Sequence, residues 1–312
     1  MRVLVTGGAG FIGANLCRRL AEGAHRVVVL DDLSLGRAAN LDGIDVEFVE
    51  GSILDSELLT QIARDADAVV HLAAIGSVPR SVADPVASHA ANATGTLMVL
   101  EAARNGGVEH VVVASSSSVY GANPVLPKRE DLAQLPVSPY AASKLATEGY
   151  ALAYQHSYGL PVLALRFFNV FGPCQAAGHA YAAVVPAFVS AALEGRPLPV
   201  HGDGTQSRDF TFVDTVTSVI DDALNRRVAF AEPVNLALGT RTDLLTLIAT
   251  LETVLGRPLD REHGPRRAGD VDHSEADATR LHELFSRIEP VTLVDALAKT
   301  VAWYEQELAH GA

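Results

Sequence analysis

The sequence predicts an α/β protein with a doubly wound parallel sheet, followed by a smaller, loop-rich α/β part. Short runs of Val, Leu and Ile alternate with longer helical patterns through the first half of the 312 residues. These runs contain few polar residues, as expected for strands that helices cover on both faces. Apolar residues make up 48% of the chain and charged residues 20%, which is the composition of a globular protein.

The first half holds six predicted strands and two clearly bounded helices. The strands are Val3–Thr6, Arg26–Leu30, Val46–Glu50, Ala68–Leu72, His110–Ser115 and Val162–Phe167. One helix begins at Asp84-Pro85, where Asp is a good N-cap and Pro a good first residue, and ends at Gly106-Gly107. The other helix begins at Ser138-Pro139 and ends at Gly159.

Beyond about residue 168 the pattern changes, because Pro and Gly become frequent and strands no longer alternate with helices. Helices are predicted near residues 184–193, 214–225, 242–255 and 291–309. We expect an NAD-binding Rossmann domain over residues 1–168 and a substrate-binding domain over residues 169–312. Parts of residues 205–240 can also belong to the first domain.

Charge and composition exclude several classes of partner. The formal charge of −13 disfavours nucleic acid, since an acidic protein repels a phosphate backbone. Cys17 and Cys174 form no CxxC pair and the eleven histidines lack metal-ligand spacing, so neither a disulfide framework nor a metal site is predicted. The longest uncharged apolar stretch, residues 180–193, is too short for a bilayer and contains Pro186. We expect a soluble cytoplasmic protein.

The first strand runs directly into a turn with Gly7, Gly10 and Gly13, and a helical pattern follows it. Glycines at this spacing allow a tight turn, close approach of backbone N–H groups to a pyrophosphate, and close packing of helix on sheet. Asp31 lies at the end of the second strand, where a carboxylate can bind the adenosine ribose hydroxyls. This combination predicts a dinucleotide site and favours NAD over NADP. Arg37, the candidate for a 2′-phosphate, is expected to be solvated.

Tyr140 and Lys144 lie one turn apart on the second bounded helix. A phenol with an ordinary pKa of about 10 is a poor base at neutral pH, and a nearby ammonium lowers that pKa. The run Ser115–Ser118 follows a predicted strand, and hydroxyls at the carboxyl end of a parallel strand face the ligand crevice. These residues together indicate proton transfer at a substrate alcohol beside a dinucleotide.

Seven motifs follow one another along the chain: TGGAGFIG, DDLSLG, HLAAIGSVPRSVADP, SSSSVYG, YAASK, RFFNVFGP and GDGTQSRDFTFV. Together they resemble an extended short-chain dehydrogenase/reductase of the NAD-dependent nucleotide-sugar epimerase/dehydratase family, in its branch of UDP-sugar (UDP-galactose/UDP-glucose type) 4-epimerases. The resemblance covers the chain from Arg2 to about Asp277. It implies retained NAD, a UDP-sugar substrate, and a homodimer formed through the two bounded helices.

The resemblance also implies roles for individual residues. Ser116, Tyr140 and Lys144 match the catalytic residues. The residues expected to hold NAD are Gly7, Gly10, Phe11, Ile12, Gly13, Asp31, Ser52, Ile53, Leu72, Ala73, Ala74, Asn92, Tyr140, Lys144 and Phe168. The residues expected to hold the substrate are Ser116, Ser117, Ser118, Asn169, Val184, Arg208, Arg267, Asp270 and Ser274. Ser52 departs from the family, which usually has an Asp there in contact with adenine, and Gly76 stands where some relatives carry Lys.

The implied reaction is 4-epimerisation through a transient 4-keto sugar. Two lyase activities on the same scaffold are alternatives, namely 4,6-dehydration of a nucleotide-sugar and decarboxylation of UDP-glucuronate. Dehydratases place Asp-Glu, and decarboxylases a Glu, where this chain has Ser117 and Ser118. A reductase that uses free NADPH and an NAD-sensing protein are further alternatives, although sensors typically lose the Tyr/Lys pair.

The sequence leaves the sugar open between a hexose, an N-acetylhexosamine and a hexuronate. Ser274 stands where a bulky Tyr restricts some relatives to plain hexoses, and a small residue leaves room for a 2-acetamido group. The hydroxyls of Ser116, Ser117 and Ser118 can equally receive a C6 carboxylate.

Overall fold

The computed structural model describes residues 1–23, 25–177, 183–265 and 272–311. The strands are β1 Arg2–Thr6, β2 Arg26–Asp31, β3 Val46–Glu50, β4 Ala68–His71, β5 His110–Ser116, β6 Val162–Phe167, β7 Val170–Phe171, β8 Leu198–His201, β9 Ser207–Arg208, β10 Thr211–Phe212, β11 Val234–Leu236, β12 Thr242–Asp243 and β13 Arg261–Gly264. The helices are α1 Phe11–Glu22, α2 Ser56–Ala63, α3 Val78–Ala83, α4 Pro85–His89, α5 Gly95–Gly106, α6 Pro139–Tyr158, α7 Val184–Leu193, α8 Val213–Arg226, α9 Leu244–Leu255, α10 Thr279–Leu284 and α11 Leu293–Gly311.

Seven strands form one sheet in the order β11-β6-β5-β4-β1-β2-β3, and every neighbouring pair is parallel. The doubly wound fold class is therefore confirmed, and all six strands predicted in the first half are present. Chain order reverses direction between β1 and β4, so a crevice opens there at the carboxyl ends of the strands. Thr6, Asp31, His71 and Ser116 all lie at that edge.

Both faces of the sheet are covered, which explains the nearly continuous apolar runs of the strands. Val3 and Val5 pack on one face with residues of α1 and α8, including Leu16 and Ile220. Leu4 packs on the other face with residues of α2, α5 and α6. A helix after residue 168 thus contributes to the core of the main sheet, as β11 does to its edge. The predicted domain division at residue 168 stays a prediction.

The helix α6 has the bounds that its end signals predict. The Ser138 hydroxyl accepts the Ala141 N–H at 3.1 Å, and Gly159 adopts a left-handed φ of +68°. The predicted helix from Asp84-Pro85 to Gly106-Gly107 is interrupted instead by a π turn over Ala90–Thr94. Within this turn, the Asn92 carbonyl accepts hydrogen bonds from the hydroxyls of Thr96 and Thr147, at 2.5 and 3.0 Å.

Helices α7, α9 and α11 form a second packed layer beside the sheet. Phe171, Phe188 and Phe212 are buried there among residues of α7, α9 and α11. The parallel pair β8 and β13 lies alongside them. Within the described ranges, none of the helices has the length and apolarity to cross a bilayer. Cys17 and Cys174 are both free thiols.

Candidate active site

The glycine turn after β1 has no room for side chains. A Cβ on Gly13 would lie 2.1 Å from the Gly7 carbonyl oxygen, and Gly7 itself has a φ of +73°. A Cβ on Gly7 would lie 2.6 Å from the Ala73 nitrogen, so the turn touches the segment after β4. Gly10 caps α1 without any side-chain acceptor, which leaves the first N–H groups of the helix available to an anion. This cradle fits a dinucleotide pyrophosphate, with Phe11 and Ile12 in the first turn beside it.

Asp31 closes the ribose end of this cradle. Its two carboxylate oxygens accept the N–H groups of Ala9 and Leu33, at 3.0 and 2.9 Å, and keep lone pairs for a pair of ribose hydroxyls. Burial raises the pKa of Asp31, while the two backbone N–H groups oppose that rise. Arg37 is exposed to solvent, as expected, and its guanidinium forms a surface ion pair with the Glu307 carboxylate at 3.1 Å.

A cavity of about 300 Å³ lies between the segment that follows Asp31 and the helices α3 and α4. Its lining residues are Ser34, Leu35, Ile75, Arg80, Ala83, Asp84, Ala87 and Ser88. Ile75 is fixed by the Asn92 amide, which accepts its N–H at 2.7 Å and donates to its carbonyl at 3.2 Å. The cavity therefore lies beside the segment that follows Asp31.

Two residues expected to line NAD are buried in this structure. Asn92 is 1% exposed, and its amide is used by Ile75 and by the Ser143 hydroxyl at 2.9 Å, so it supports the cleft from behind. Phe168 has no exposed surface and packs against Tyr120 with ring centroids 6.2 Å apart. Direct contact of Asn92 and Phe168 with NAD stays a prediction.

The other expected cofactor residues lie around the same edge of the sheet. Leu72, Ala73 and Ala74 are half-buried after β4, where the Leu72 N–H donates to the Thr6 carbonyl at 3.0 Å. The Ser52 hydroxyl accepts the Leu54 N–H at 3.2 Å, which turns it toward its own backbone. Ile53 is 8% exposed and packs on the other side of this segment.

Ser116, Tyr140 and Lys144 come together at the end of β5. Lys144 is buried, and its Nζ donates to the Ala114 carbonyl at 2.8 Å. The Ser116 side chain lies beside the Tyr140 phenol and opposes the effect of burial on its pKa. Ser116 Oγ accepts the N–H and the hydroxyl of Ser118, at 3.2 and 2.9 Å.

The electrostatics of this trio differ in part from the sequence prediction. Burial raises the pKa of Tyr140 above its ordinary value, and the opposing effect comes from the neighbouring Ser116 side chain rather than from Lys144. Burial lowers the pKa of Lys144 to about 8, so its ammonium form still prevails at neutral pH. A positive charge brought close to the phenol is needed to favour phenolate at that pH.

The sequence analysis did not predict the buried polar side chains that surround Ser116, Tyr140 and Lys144. Ser81 accepts the Tyr140 N–H at 3.0 Å. His71 is buried between the hydroxyls of Thr6 and Thr96, at 2.7 and 3.0 Å. Burial, with the Lys144 charge as a smaller cause, lowers the pKa of His71 to about 3. A polar residue inside an otherwise apolar strand is the sequence signal that points to His71.

A second cavity, of about 250 Å³, gathers the expected substrate residues Asn169, Val184 and Arg208. Its other lining residues are Val170, Phe171, Ala183, Val185, Ala187, Phe188, Pro199, His201, Gln206, Phe210 and Leu244. Arg208 Nη1 donates to the carbonyls of Ser207 and Asp272, at 2.9 and 3.3 Å. A guanidinium at the wall of a mostly apolar cavity suits a nucleoside diphosphate.

The segment that carries Ser274 lies beside Arg208. The Ser274 N–H donates to the Ser207 carbonyl at 3.0 Å. Asp209 is fully buried, and its carboxylate accepts the N–H groups of Gly239 and Ala276, at 3.0 and 3.2 Å. Arg267 and Asp270, also expected to hold the substrate, lie outside the described residues.

The hydroxyls of Ser117 and Ser118 follow Ser116 in a short turn, on the same edge of the sheet as Tyr140. No carboxylate occurs in that turn, which runs Ser-Ser-Val-Tyr. Within the part of the chain that the structure describes, no three His, Cys, Asp or Glu side chains group as ligands for a metal ion.

Comparisons with known proteins agree with this geometry. Residues 3–239 match the NAD dependent epimerase/dehydratase family. The UDP-glucose 4-epimerase of Mycolicibacterium smegmatis is 40% identical over 313 residues, which cover 98% of the chain and 99% of that relative.

Solved structures of similar proteins cover the same length. The UDP-N-acetylglucosamine 4-epimerase of Methanobrevibacter ruminantium, solved with UDP-N-acetylmuramic acid, matches with a TM-score of 0.92 and 37% identity over 98% of each chain. The UDP-glucuronic acid 4-epimerase of Bacillus cereus, solved with UDP-glucuronic acid and NAD, matches with a TM-score of 0.89 and 30% identity over 98% of this chain and 100% of that one.

Proposed function

The chain belongs to the NAD dependent epimerase/dehydratase family, and we propose that it is an NAD-dependent 4-epimerase of a UDP-sugar. The observation that carries this proposal is the placement of Ser116, Tyr140 and Lys144 at the sheet edge that also holds the glycine turn and Asp31. The enzyme is an isomerase, and NAD is its cofactor.

The proposed roles follow from the positions of the side chains. Tyr140 Oη, as a phenolate, accepts the proton of the C4 hydroxyl, and Ser116 Oγ donates a hydrogen bond to the same substrate oxygen. When bound, NAD supplies the hydride acceptor and donor for C4 and a positive charge beside the phenol. Tyr140 later returns its proton to the C4 oxygen, so the net change is inversion at C4 without net oxidation. Lys144, anchored at the Ala114 carbonyl, would bind the cofactor ribose as an ammonium.

Inversion requires that the 4-keto sugar turns while its nucleotide stays bound. Asn169, Val184 and Arg208 surround the cavity that would hold the nucleoside diphosphate. Held at its diphosphate, the sugar can present either face to the same hydride position. Arg267, Asp270 and Ser274 complete the proposed substrate set.

The lyase alternatives need a further acid or base beside Ser116. Elimination of water from C5 and C6 requires a second proton donor and acceptor, and a hydroxyl with an ordinary pKa is unsuited to that task. Ser117 and Ser118 are the side chains available in the turn after β5. The site therefore favours epimerisation over dehydration and decarboxylation.

The test of this function is incubation with UDP-glucose, UDP-N-acetylglucosamine and UDP-glucuronate, with the C4 configuration read by proton NMR. We expect at least one of them to reach an equilibrium with its C4 epimer. Ser274 favours the N-acetylhexosamine, and the three hydroxyls of Ser116, Ser117 and Ser118 favour the hexuronate. Formation of a 4-keto-6-deoxy sugar or of carbon dioxide would establish a lyase instead.

The purified protein should carry NAD, because an epimerase uses again the hydride that it removes. The tight cradle of Gly7, Gly10 and Gly13 and the buried Asp31 support retention. Denaturation followed by an enzymatic assay of the supernatant should release about one NAD per chain. A supernatant free of nicotinamide would contradict retention while leaving the fold unaffected.

The protein should also form a homodimer through the exposed faces of α5 and α6. Leu100 on α5 does not belong to such a face, since it is fully buried against the sheet. Tyr150 is 41% exposed on α6, and Leu97 on α5 is partly buried. Light scattering at micromolar concentration should give twice the chain mass of 32.9 kDa. A mass of one chain would exclude the dimer.

Two broader expectations belong to the proposal as well. Residues 1–168 are proposed to bind NAD and residues 169–312 the substrate, with part of residues 205–240 assisting the first. A cytoplasmic location is proposed because the free thiols of Cys17 and Cys174 suit a reducing compartment.

A further inference from the structure

The last three residues of β5 face three successive turns of α6. The Ala114 carbonyl accepts from Lys144, and the Ser116 side chain lies beside the Tyr140 phenol. Between them, the Ser115 hydroxyl donates to Glu148 Oε2 at 2.9 Å. Tyr140, Lys144 and Glu148 are four residues apart and share one face of the helix. The first two act at the site, so the role of Glu148 remains to be explained.

Glu148 also reaches a second strand. Its Oε1 and Oε2 accept from Nη2 and Nε of Arg166 on β6, at 2.6 and 2.8 Å. The two side chains are 5% and 1% exposed, so this ion pair is out of contact with solvent. A two-pronged bond between a carboxylate and a guanidinium fixes both distance and direction. One carboxylate thereby ties α6 to the ends of both β5 and β6.

The guanidinium partner is itself held in place. It stacks over the ring of Tyr120 with 4.7 Å between the carbon and the ring centroid, and Nη1 donates to the Glu130 carbonyl at 3.3 Å. The Tyr120 hydroxyl donates to Asn235 Oδ1 at 2.7 Å. The ion pair thus belongs to a connected set of buried bonds rather than standing alone.

Stability alone does not explain a buried ion pair at this place. Removing two charges from water is costly, and apolar residues of similar size are often equally stabilising. The neighbours of α6 on this face of the sheet are largely apolar, including Val111, Val113 and Ala164. Such contacts are non-directional and allow small shifts, whereas reacting groups must be held within about 0.5 Å of their productive geometry.

We propose that Glu148, through Ser115 and Arg166, is a positioning residue that holds the Tyr140 hydroxyl against Ser116. The inference rests on the proposed epimerase function for its kinetic consequence. Without this clamp, α6 can shift along the sheet, and the two groups that handle the C4 proton separate. A misplacement of about 1 Å can cost about a hundredfold in rate without loss of binding.

The main test is the double variant Glu148→Leu/Arg166→Met, which replaces the pair by apolar side chains and leaves no charge unpaired. We expect the folded variant to retain NAD and a KM for the UDP-sugar within about twofold of the wild type, with kcat lower by about tenfold or more. Ser115→Ala keeps the ion pair and removes only the bond to β5. It should also lower kcat, by a smaller factor. If the double variant does not fold, the kcat of Ser115→Ala tests the proposal instead.

Tyr154→Phe is the matched control on the same helix. It removes a 2.6 Å hydrogen bond to Glu101 on α5, not a tie to the strand ends, and should leave kcat unchanged. Unchanged kcat in the folded double variant, or in Ser115→Ala if that variant decides, overturns the proposal. An equal loss in Tyr154→Phe also overturns it, because the loss then reflects general loosening of α6.

A crystal structure of the same variant separates this proposal from the proposed function. We expect the distance between Tyr140 Oη and Ser116 Oγ to be longer than in the wild type. If the wild type proves inactive on UDP-sugars, this distance still decides the positioning role. An unchanged distance would overturn it even in an active epimerase.

Discussion

Replacement of Tyr140 by Phe should lower kcat for 4-epimerisation by about 10²–10⁴-fold, the range typical of lost general acid–base catalysis. The substitution removes only the phenolic oxygen beside Ser116 and keeps the ring on α6. Folding and NAD content should therefore stay at wild-type values. The measurement is kcat on whichever UDP-sugar the wild type converts, with released NAD measured on the same samples.

The control for this prediction is Tyr150→Phe, which makes the same chemical change on the same helix. Tyr150 is 41% exposed and lies outside the proposed site, so kcat should not change. Near-normal turnover in Tyr140→Phe with NAD bound would mean that Tyr140 is a structural aromatic residue. Proton transfer at C4 would then have to be assigned to another group.

Replacement of Gly13 by Ala should abolish most of the bound NAD. The added methyl would lie 2.1 Å from the Gly7 carbonyl oxygen and 2.6 Å from Gly8 Cα, and both are backbone atoms that cannot move alone. The turn must open, at a cost of about 1–3 kcal/mol of folding free energy or more. We expect NAD content at least about tenfold below the wild type and a lower unfolding temperature.

Gly149→Ala is the matched control for this change. Gly149 lies inside α6, and a Cβ there meets no atom within 4 Å. Alanine is favoured over glycine within a helix by about 0.5–1 kcal/mol, so this variant should be slightly more stable and keep its NAD. The prediction for Gly13 is wrong if both variants hold NAD equally well and unfold at the same temperature.

The sheet could be predicted from sequence because its strands are covered on both faces and therefore read as apolar runs. The caps of α6 were equally readable, since Ser138, Pro139 and Gly159 act through local backbone geometry. Strand β11 is only Val234–Leu236, and three residues carry too little pattern to separate a strand from a loop. The Asn92 carbonyl in the π turn accepts a hydrogen bond from Thr147 of α6. This residue lies far along the chain, so the sequence around the turn does not reveal the contact.

The sequence predicts the site residues that belong to short local motifs. It does not predict the residues that distant segments of the chain bring together. The glycine turn, Asp31 and the Tyr140–Lys144 spacing are each local. The cavity of Arg208 also needs His201 and Gln206, and nothing in their own neighbourhood marks them as lining residues. The packing of Phe168 against Tyr120 likewise joins distant segments, so its neighbours in the sequence do not predict it.

Glu148 and Arg166 were overlooked for a related reason. Charged residues in a sequence are ordinarily read as exposed, and only the pairing of α6 with β6 reveals a buried bond between them. An Arg within the apolar run Val162–Phe167 was the available signal. A basic residue inside an apolar strand, together with an acidic residue one helical turn after a catalytic motif, therefore indicates a buried ion pair.

The central claim is that one hydride leaves C4 of a UDP-sugar and returns to the same carbon within the site. The most direct measurement uses a UDP-sugar carrying deuterium at C4, in ordinary water and with no added NAD. The C4 epimer that forms should retain its deuterium at C4 by NMR and mass spectrometry. An epimer with hydrogen from solvent at C4, or no inversion with any of the three UDP-sugars, would contradict the account.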